Sequence, residues 1–268
     1  MRFSFRPQHG FSLVELMVTI TISLLLTAAV TMLYTSSRTT ARNQDDLSRA
    51  LEAGRSAMYV LTRSVRQAGY LADPASWVDL QTIFPAGSRP VQGTEGAAGA
   101  NDTLTITYQG SGASSGVADN RIVDCLGNPV PYPTVTYPAT PATVRRDVFS
   151  IANDPANNNE PTLFCDDGSG TNRVALVSGI EAMQFLYGED TDNPRDMTAN
   201  RYVAASAVTN WYNVVAVRIS ILARSPNATA VNPQVRTFNL LGANFNTPAD
   251  GRTRQVFSTV TNVRNLSN

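Results

Sequence analysis

Gly10-Phe11-Ser12-Leu13-Val14-Glu15-Leu16-Met17-Val18 opens an apolar run that continues to Tyr34, and Glu15 is its only charged residue. Arg2 and Arg6 stand before it, in a short leader that ends at Gly10. A secretory signal carries its small-residue cut site after the apolar stretch, so processing discards the stretch. Here the plausible cut lies before it, between Gly10 and Phe11. The processed chain would keep its apolar segment and gain a free amine at Phe11. The run is long enough to cross a bilayer. A lone carboxylate inside it costs about 2.5 kcal/mol or more when unpaired, so Glu15 is expected to find a partner.

Downstream, Leu47, Leu51, Gly54, Met58, Leu61, Val65 and Ala68 recur at alternating steps of four and three. That spacing predicts one apolar stripe on an amphipathic helix continuing from the membrane segment. Arg49, Glu52, Arg55, Arg63 and Arg66 fall off the stripe, and Gly69 supplies a C-terminal stop. No proline occurs between Phe11 and Gln67, so no proline kink is expected. Thr19, Thr21, Ser23 and Thr27 lie inside the span, where their hydroxyls can bond to carbonyls one turn back.

After Gly69 the periodicity turns strand-like. Thr103–Tyr108 alternates with period two, and so does Tyr212–Arg224, with Val215, Val217, Ile219 and Ile221 on one face. Further strands are expected at Val148–Ile151, Arg173–Val177, Ile180–Tyr187, Val235–Leu240 and Arg254–Val263. Gly, Pro and Asn clusters separate them, which implies an antiparallel sheet with one face on the helix and one toward solvent. Long loops are expected at Pro85–Asp102, Gln109–Asn120, Asn128–Ala142 and Asn153–Asn159; loops of this length are commonly functional or mobile. The layout is α+β, built on one long N-terminal helix.

Composition excludes several classes of function. The 268 residues carry 21 basic and 21 acidic side chains, every basic one an arginine, so no net charge favours nucleic acid. The one histidine, His9, lies in the leader and would leave with it. A processed chain without histidine cannot run Ser-His or Cys-His catalysis. No glycine loop of the phosphate-cradling kind follows a strand and opens a helix. The chain therefore reads as a non-enzyme that needs no cofactor.

The leader, with Gly10, Phe11 and Glu15 at fixed spacing, resembles the prepilin leader of type IV pilins and type II secretion pseudopilins. Arg66-Gln67-Ala68-Gly69-Tyr70-Leu71 resembles the helix end of PilW-type minor pilins. So does the later block Gly179-Ile180-Glu181-Ala182-Met183-Gln184-Phe185-Leu186-Tyr187-Gly188, followed by Asp190, Asp192, Trp211 and the strand Val214–Ser225. The region from about 72 to 172 carries no such motif. The resemblance implies a type IV pilin-like fold. It divides the chain into a cleaved leader (1–10), a transmembrane or filament-core helix half (11–36), an amphipathic helix half (37–69) and a periplasmic β-rich domain (70–268). It also implies cleavage after Gly10, N-methylation of Phe11, and pairing of Glu15 with the N-terminal amine of a neighbouring subunit. Two charges that leave water together cost less than either alone.

The implied function is that of a minor pilin that helps to initiate pilus assembly and lies at or near the pilus tip. Its implied partners are other minor pilins, the major pilin, the prepilin peptidase, the inner membrane and the assembly platform, with no nucleic acid. The alternatives are a minor pseudopilin resembling the J subunit of type II secretion, and a membrane-tethered adhesin using the long loops. In a periplasmic domain the even pair Cys125 and Cys165 reads as a disulfide. Asp190, Asp192 and Asp196 space their oxygens somewhat as a calcium loop does, without the glycine turn and distal Glu of an EF-hand; a solvated turn is the plainer reading.

Overall fold

The computed structural model describes Gly10 and residues 12–72, 83–84, 87–97, 99–134, 144–170, 172–229 and 232–266. The chain divides into two compact units, 1–45 and 46–268. A single helix, α1 (Leu13–Gln67), supplies residues to both.

In the first unit α1 is unbroken, as the absence of proline predicts, and its apolar side chains from Leu13 to Tyr34 are all exposed. Thr19 donates to the Leu16 carbonyl at 2.9 Å, Thr21 to Val18 at 2.9 Å and Thr27 to Ser23 at 2.8 Å. Thr31 and Thr35 continue the series. The hydroxyls are thus satisfied within the helix, and the segment offers its surroundings hardly any unmet polar group apart from Glu15.

In the second unit Gly54, Leu61, Val65 and Ala68 of the expected stripe are buried, but not its other three residues. Asp46, Ala50, Gly54, Ala57, Leu61 and Val65 are buried, followed by Ala68. Leu47 is exposed, and Leu51 and Met58 are only half-buried. The buried face is rotated by about 50° from the expected stripe, taking 3.6 residues per turn. Small residues allow close approach here. A Cβ on Gly54 would stand 2.0 Å from the Phe257 ring.

Five strands form one antiparallel sheet in chain order: β1 (Val91–Thr94), β2 (Thr103–Tyr108), β3 (Arg145–Asp154), β4 (Glu160–Asp166) and β5 (Arg173–Ser178). Gly179 then carries the chain directly into a second sheet. This sheet is built from β6 (Ile180–Glu189), β7 (Arg201–Val203), β8 (Val214–Ala228) and β11 (Arg252–Asn262), in the order β11-β8-β6-β7. Gly179 adopts φ +83°, donates to the Pro161 carbonyl at 2.8 Å and accepts from Arg224 N–H at 2.8 Å. One left-handed residue thereby ties the two sheets together. A hairpin of β9 (Arg236–Leu240) and β10 (Ala243–Thr247) turns on Leu241 and Gly242, both at positive φ.

One apolar core joins all three layers. It contains Leu61 and Val65 from α1, Leu104, Ile106, Phe149 and Leu163 from the first sheet, and Met183, Phe185, Ile219 and Ile221 from the second. The expectation of a solvated outer face fails at β8, where residues on both faces are buried. The hairpin covers the second face: Leu240 and Phe245 pack on Ala182 and Leu222. Further along, Ser220 bonds Ser258 at 2.8 Å, and Arg218 lies over the Tyr202 ring at 4.4 Å. The stretch 85–102, expected as a loop, contains β1, and the Asn-rich stretch 153–159 is the tight turn between β3 and β4.

Candidate functional site

Gly10, the expected cleavage point, is exposed; Phe11 lies outside the described residues. The first helical hydrogen bond runs from Leu16 N–H to the Ser12 carbonyl at 3.1 Å. Glu15 falls in the first turn of α1 and is exposed among exposed apolar side chains. A carboxylate there is favoured by the unpaired N–H groups of the helix start. It also presents a negative charge where a cation on another molecule could reach it.

The helix base explains the Ala68-Gly69-Tyr70 motif. Ala68 is fully buried, and Gly69 takes φ +71° with Pro90 and Leu266 each 3.3 Å from where a Cβ would sit. Gly69 N–H donates to the Thr107 carbonyl at 2.9 Å, and Tyr70 accepts from Gln109 N–H at 2.8 Å. The chain leaving the helix thus joins the edge of β2. The last helical carbonyls are met from far away: Asn265 Nδ2 lies 3.0 Å from Arg66 O, 3.4 Å from Gln67 O and 3.1 Å from Ala68 O.

The block from Gly179 to Gly188 is β6, placed at the centre of the domain. Tyr187 is buried, edge-on to Trp211 at a centroid distance of 4.8 Å, and its hydroxyl occupies the space a Cβ on Gly93 would need. Gly188 admits Ala199, Tyr202 and Ala216 close to its backbone. Glu181 belongs to a charge network that sequence reasoning missed. Arg254 grips Glu181 and also Asp250, at 2.8 and 2.7 Å. Arg224 bonds Glu160, and Arg252 reaches the same carboxylate at 2.8 Å. Three arginines and three acids therefore fasten β4, β6, β8 and β11 together. The Arg254 fork is the chief reason that the Asp250 carboxyl is held down to about 2.

Cys125 and Cys165 form a disulfide with a Cα separation of 6.2 Å. Asp147 is buried beside it and accepts from the Tyr108 hydroxyl at 2.7 Å. Burial pushes Asp147 up to about 6 and, helped by the neighbouring carboxylate, carries Tyr108 well above the usual phenol range. Asp147 and the two sulfurs lie within 4.8 Å of one another, but both sulfurs are spent on the bond between them. This acid–phenol pair was not anticipated, since 39 positions part the two residues.

Asp190, Asp192 and Asp196 do come within 4.8 Å of one another. Their oxygens serve the turn itself. Asp190 accepts from Asp192 N–H at 3.1 Å and Met197 N–H at 2.8 Å, Asp192 from Asn200 Nδ2 at 3.0 Å, and Asp196 from Thr198 N–H at 2.8 Å. Arg195 stands 3.8 Å from Asp190. Neighbouring Glu189 is fully buried; it accepts from Arg201 at 2.8 Å, from Thr209 N–H at 3.0 Å and from Asn210 N–H at 3.1 Å. Burial works to raise the carboxyl, and these donors overcome it and hold Glu189 below its ordinary value.

A long apolar N-terminal helix followed by antiparallel sheets is a type IV pilin-like fold, and the leader adds the processing signature of that class. Residues 5–31 match the family described as "Prokaryotic N-terminal methylation motif". Residues 148–265 match "Type IV Pilus-assembly protein W". Together the two matches support a PilW-type pilin with an N-terminal methylation motif. Among solved structures it is similar to a type IV-like pilin from Thermus thermophilus at 14% identity and a TM-score of 0.41, covering 84% of this chain and 97% of that one. No curated protein matches it. The PilW match starts in β3 and ends at the Asn265 cap, so it takes in the whole second sheet and the hairpin.

Proposed function

We propose that this chain is a minor pilin that helps to start assembly of a type IV pilus and stays at or near its tip. One observation carries the reading: the matched methylation motif runs into the start of α1, whose segment Leu13–Tyr34 exposes every large apolar side chain and a single acid, Glu15. Pilins of this family are structural subunits, and an exposed helix of this kind suits a bilayer first and a bundle of like helices later. On this reading the peptidase cuts after Gly10 and methylates Phe11, and residues 70–268 lie in the periplasm before assembly. The Glu15 carboxylate then meets the amine of a neighbouring Phe11, which fixes the axial register as the helix leaves the membrane. The partners are the other minor pilins, the major pilin, the peptidase and the assembly platform.

The test is mass spectrometry of the mature N-terminus combined with purification of sheared pili. The mature chain is expected to begin at methylated Phe11. Glu15→Ala is expected to remain in the membrane fraction while its yield in pili drops at least tenfold. A mature chain beginning at Met1, or an undiminished yield of the variant in pili, would overturn the proposal. Co-purification with secretion pseudopilins in place of pilus subunits would favour the type II machine.

A further inference from the structure

The two sides of the second sheet end differently. On one side, the part of β6 that β7 leaves unpaired is closed by the loop before β2. Asn101 accepts from Met183 N–H at 2.9 Å, Asp102 accepts from Phe185 N–H at 2.9 Å, and Asp102 N–H donates to the Met183 carbonyl at 3.1 Å. On the other side, β11 pairs with β8 along its inner edge, and no described strand pairs with its outer edge. An open edge of eleven residues is a template for another strand unless something covers it.

Beside that edge runs a groove of about 750 Å³, lined by Arg55, Met58, Tyr59, Thr62, Arg63 and Arg66 of α1 and by Phe257, Ser258 and Thr259 of β11. It follows a flank of α1 away from the buried stripe, where Met58 and Thr62 are half-buried. Tyr59 is 68% exposed on that flank, and Val260 of β11 is 47% exposed. Arg55, Arg63 and Arg66 are all exposed, and among the described residues none of their guanidinium groups has an ion-pair or hydrogen-bond partner. Among the described residues no acid lines the groove. Arg224, Arg252 and Arg254, by contrast, are neutralised by Glu160 and Glu181.

We propose that this groove receives an extended, acidic segment of a neighbouring subunit, which adds to β11 as a further strand. The proposal rests on the subunit reading above. The open backbone edge selects an extended segment and supplies main-chain hydrogen bonds. The three unneutralised arginines select carboxylates on its outward side chains and speed its capture. Met58 and Phe257 form an apolar floor for the side chains that alternate inward.

The experiment places a photo-crosslinking residue at Thr259, and separately at Leu25 in the anchor, of the full-length protein in membranes that also contain the pilus subunits. Thr259 is expected to crosslink to an acid-rich segment of one pilin, with the linked residues spaced two apart. Arg55→Glu combined with Arg63→Glu should lower that yield about tenfold and leave the Leu25 crosslinks unchanged. A thermal melt of the double variant checks folding, and Arg55→Gln with Arg63→Gln stands in if the first pair unfolds. The proposal is overturned if Thr259 links to lipid alone or to nothing. It is also overturned if linked residues fall three or four apart, as on a helix, or if charge reversal leaves the yield intact, while Leu25 still reaches a pilin. Should Leu25 also reach no pilin, the subunit reading falls and takes this proposal with it.

Discussion

The two parts of α1 make opposite use of apolar side chains. Between Leu13 and Tyr34 the helix is rich in Leu, Ile, Val and Met and buries none of them. Between Asp46 and Gln67 it buries little beyond Ala50, Gly54, Ala57, Leu61 and Val65, and it does so completely. High apolar content is here a sign of a surface meant for something outside the chain. Low apolar content, with small residues in line, is the sign of a tightly packed internal seam. Hydrophobic burial scales with area removed from water, but close packing decides how much of that area can be removed.

Four measurements test whether the domain and the anchor are as independent as this contrast implies. The largest effect is expected from reducing Cys125–Cys165, whose cysteines are 40 positions apart. Loss of about 4 kcal/mol in denaturant unfolding should follow, with α1 helicity in the anchor unchanged by circular dichroism in detergent. Next, Gly54→Leu should cost about 3 kcal/mol, because the added side chain meets the Phe257 ring. The same enlargement at Ala28, in the anchor, should leave domain unfolding where it was.

The third test uses pH. Asp147 rises from 3.8 to about 6 on folding, so the folded domain holds a proton that the unfolded chain has released. Its contribution is fully present below about pH 4 and is lost as pH climbs through 6, a loss on the order of 2–3 kcal/mol. Asp147→Asn keeps an acceptor for Tyr108 and should be the more stable protein at pH 8, with the gap closing at pH 4. Asp250 has the opposite sign: it stabilises above about pH 4, and its contribution fades as pH falls through 2. The smallest effect is expected from Asn265→Ala, about 1 kcal/mol from the lost helix cap. Amide exchange should then quicken at the last turn of α1 and nowhere in the anchor.

The class of fold was legible because its signals are local. A charge-poor run with one acid, a helical period after it and strand alternation after Gly69 need no partner to be seen. Thr103–Tyr108 was found to the residue for that reason. The helix face was misjudged because Leu47, Leu51 and Met58 outweigh Ala50 and Ala57 on any scale of apolarity. The four strands that escaped notice each lack the usual signal. β1 contains Gly93, β4 begins with Glu160-Pro161, β7 has three residues, and β10 alternates through Asn244 and Asn246.

The candidate site divides the same way. Gly10, Phe11 and Glu15 stand within six positions, so the sequence proposes them as a group, and the cysteines were legible by their even number. Asp147 with Tyr108, Glu189 with Arg201 and the arginine–carboxylate network were not. Each is an ordinary charged residue until a long-range pairing removes it from water.

The amide of Asn265 carries a consequence for the order of folding. The base of a helix completed within the first seventy residues waits for a side chain 199 positions further along the chain. Its final turn therefore stays frayed until β8 and β11 have paired and delivered that amide, which makes the foot of the helix a late event and the strands its precondition.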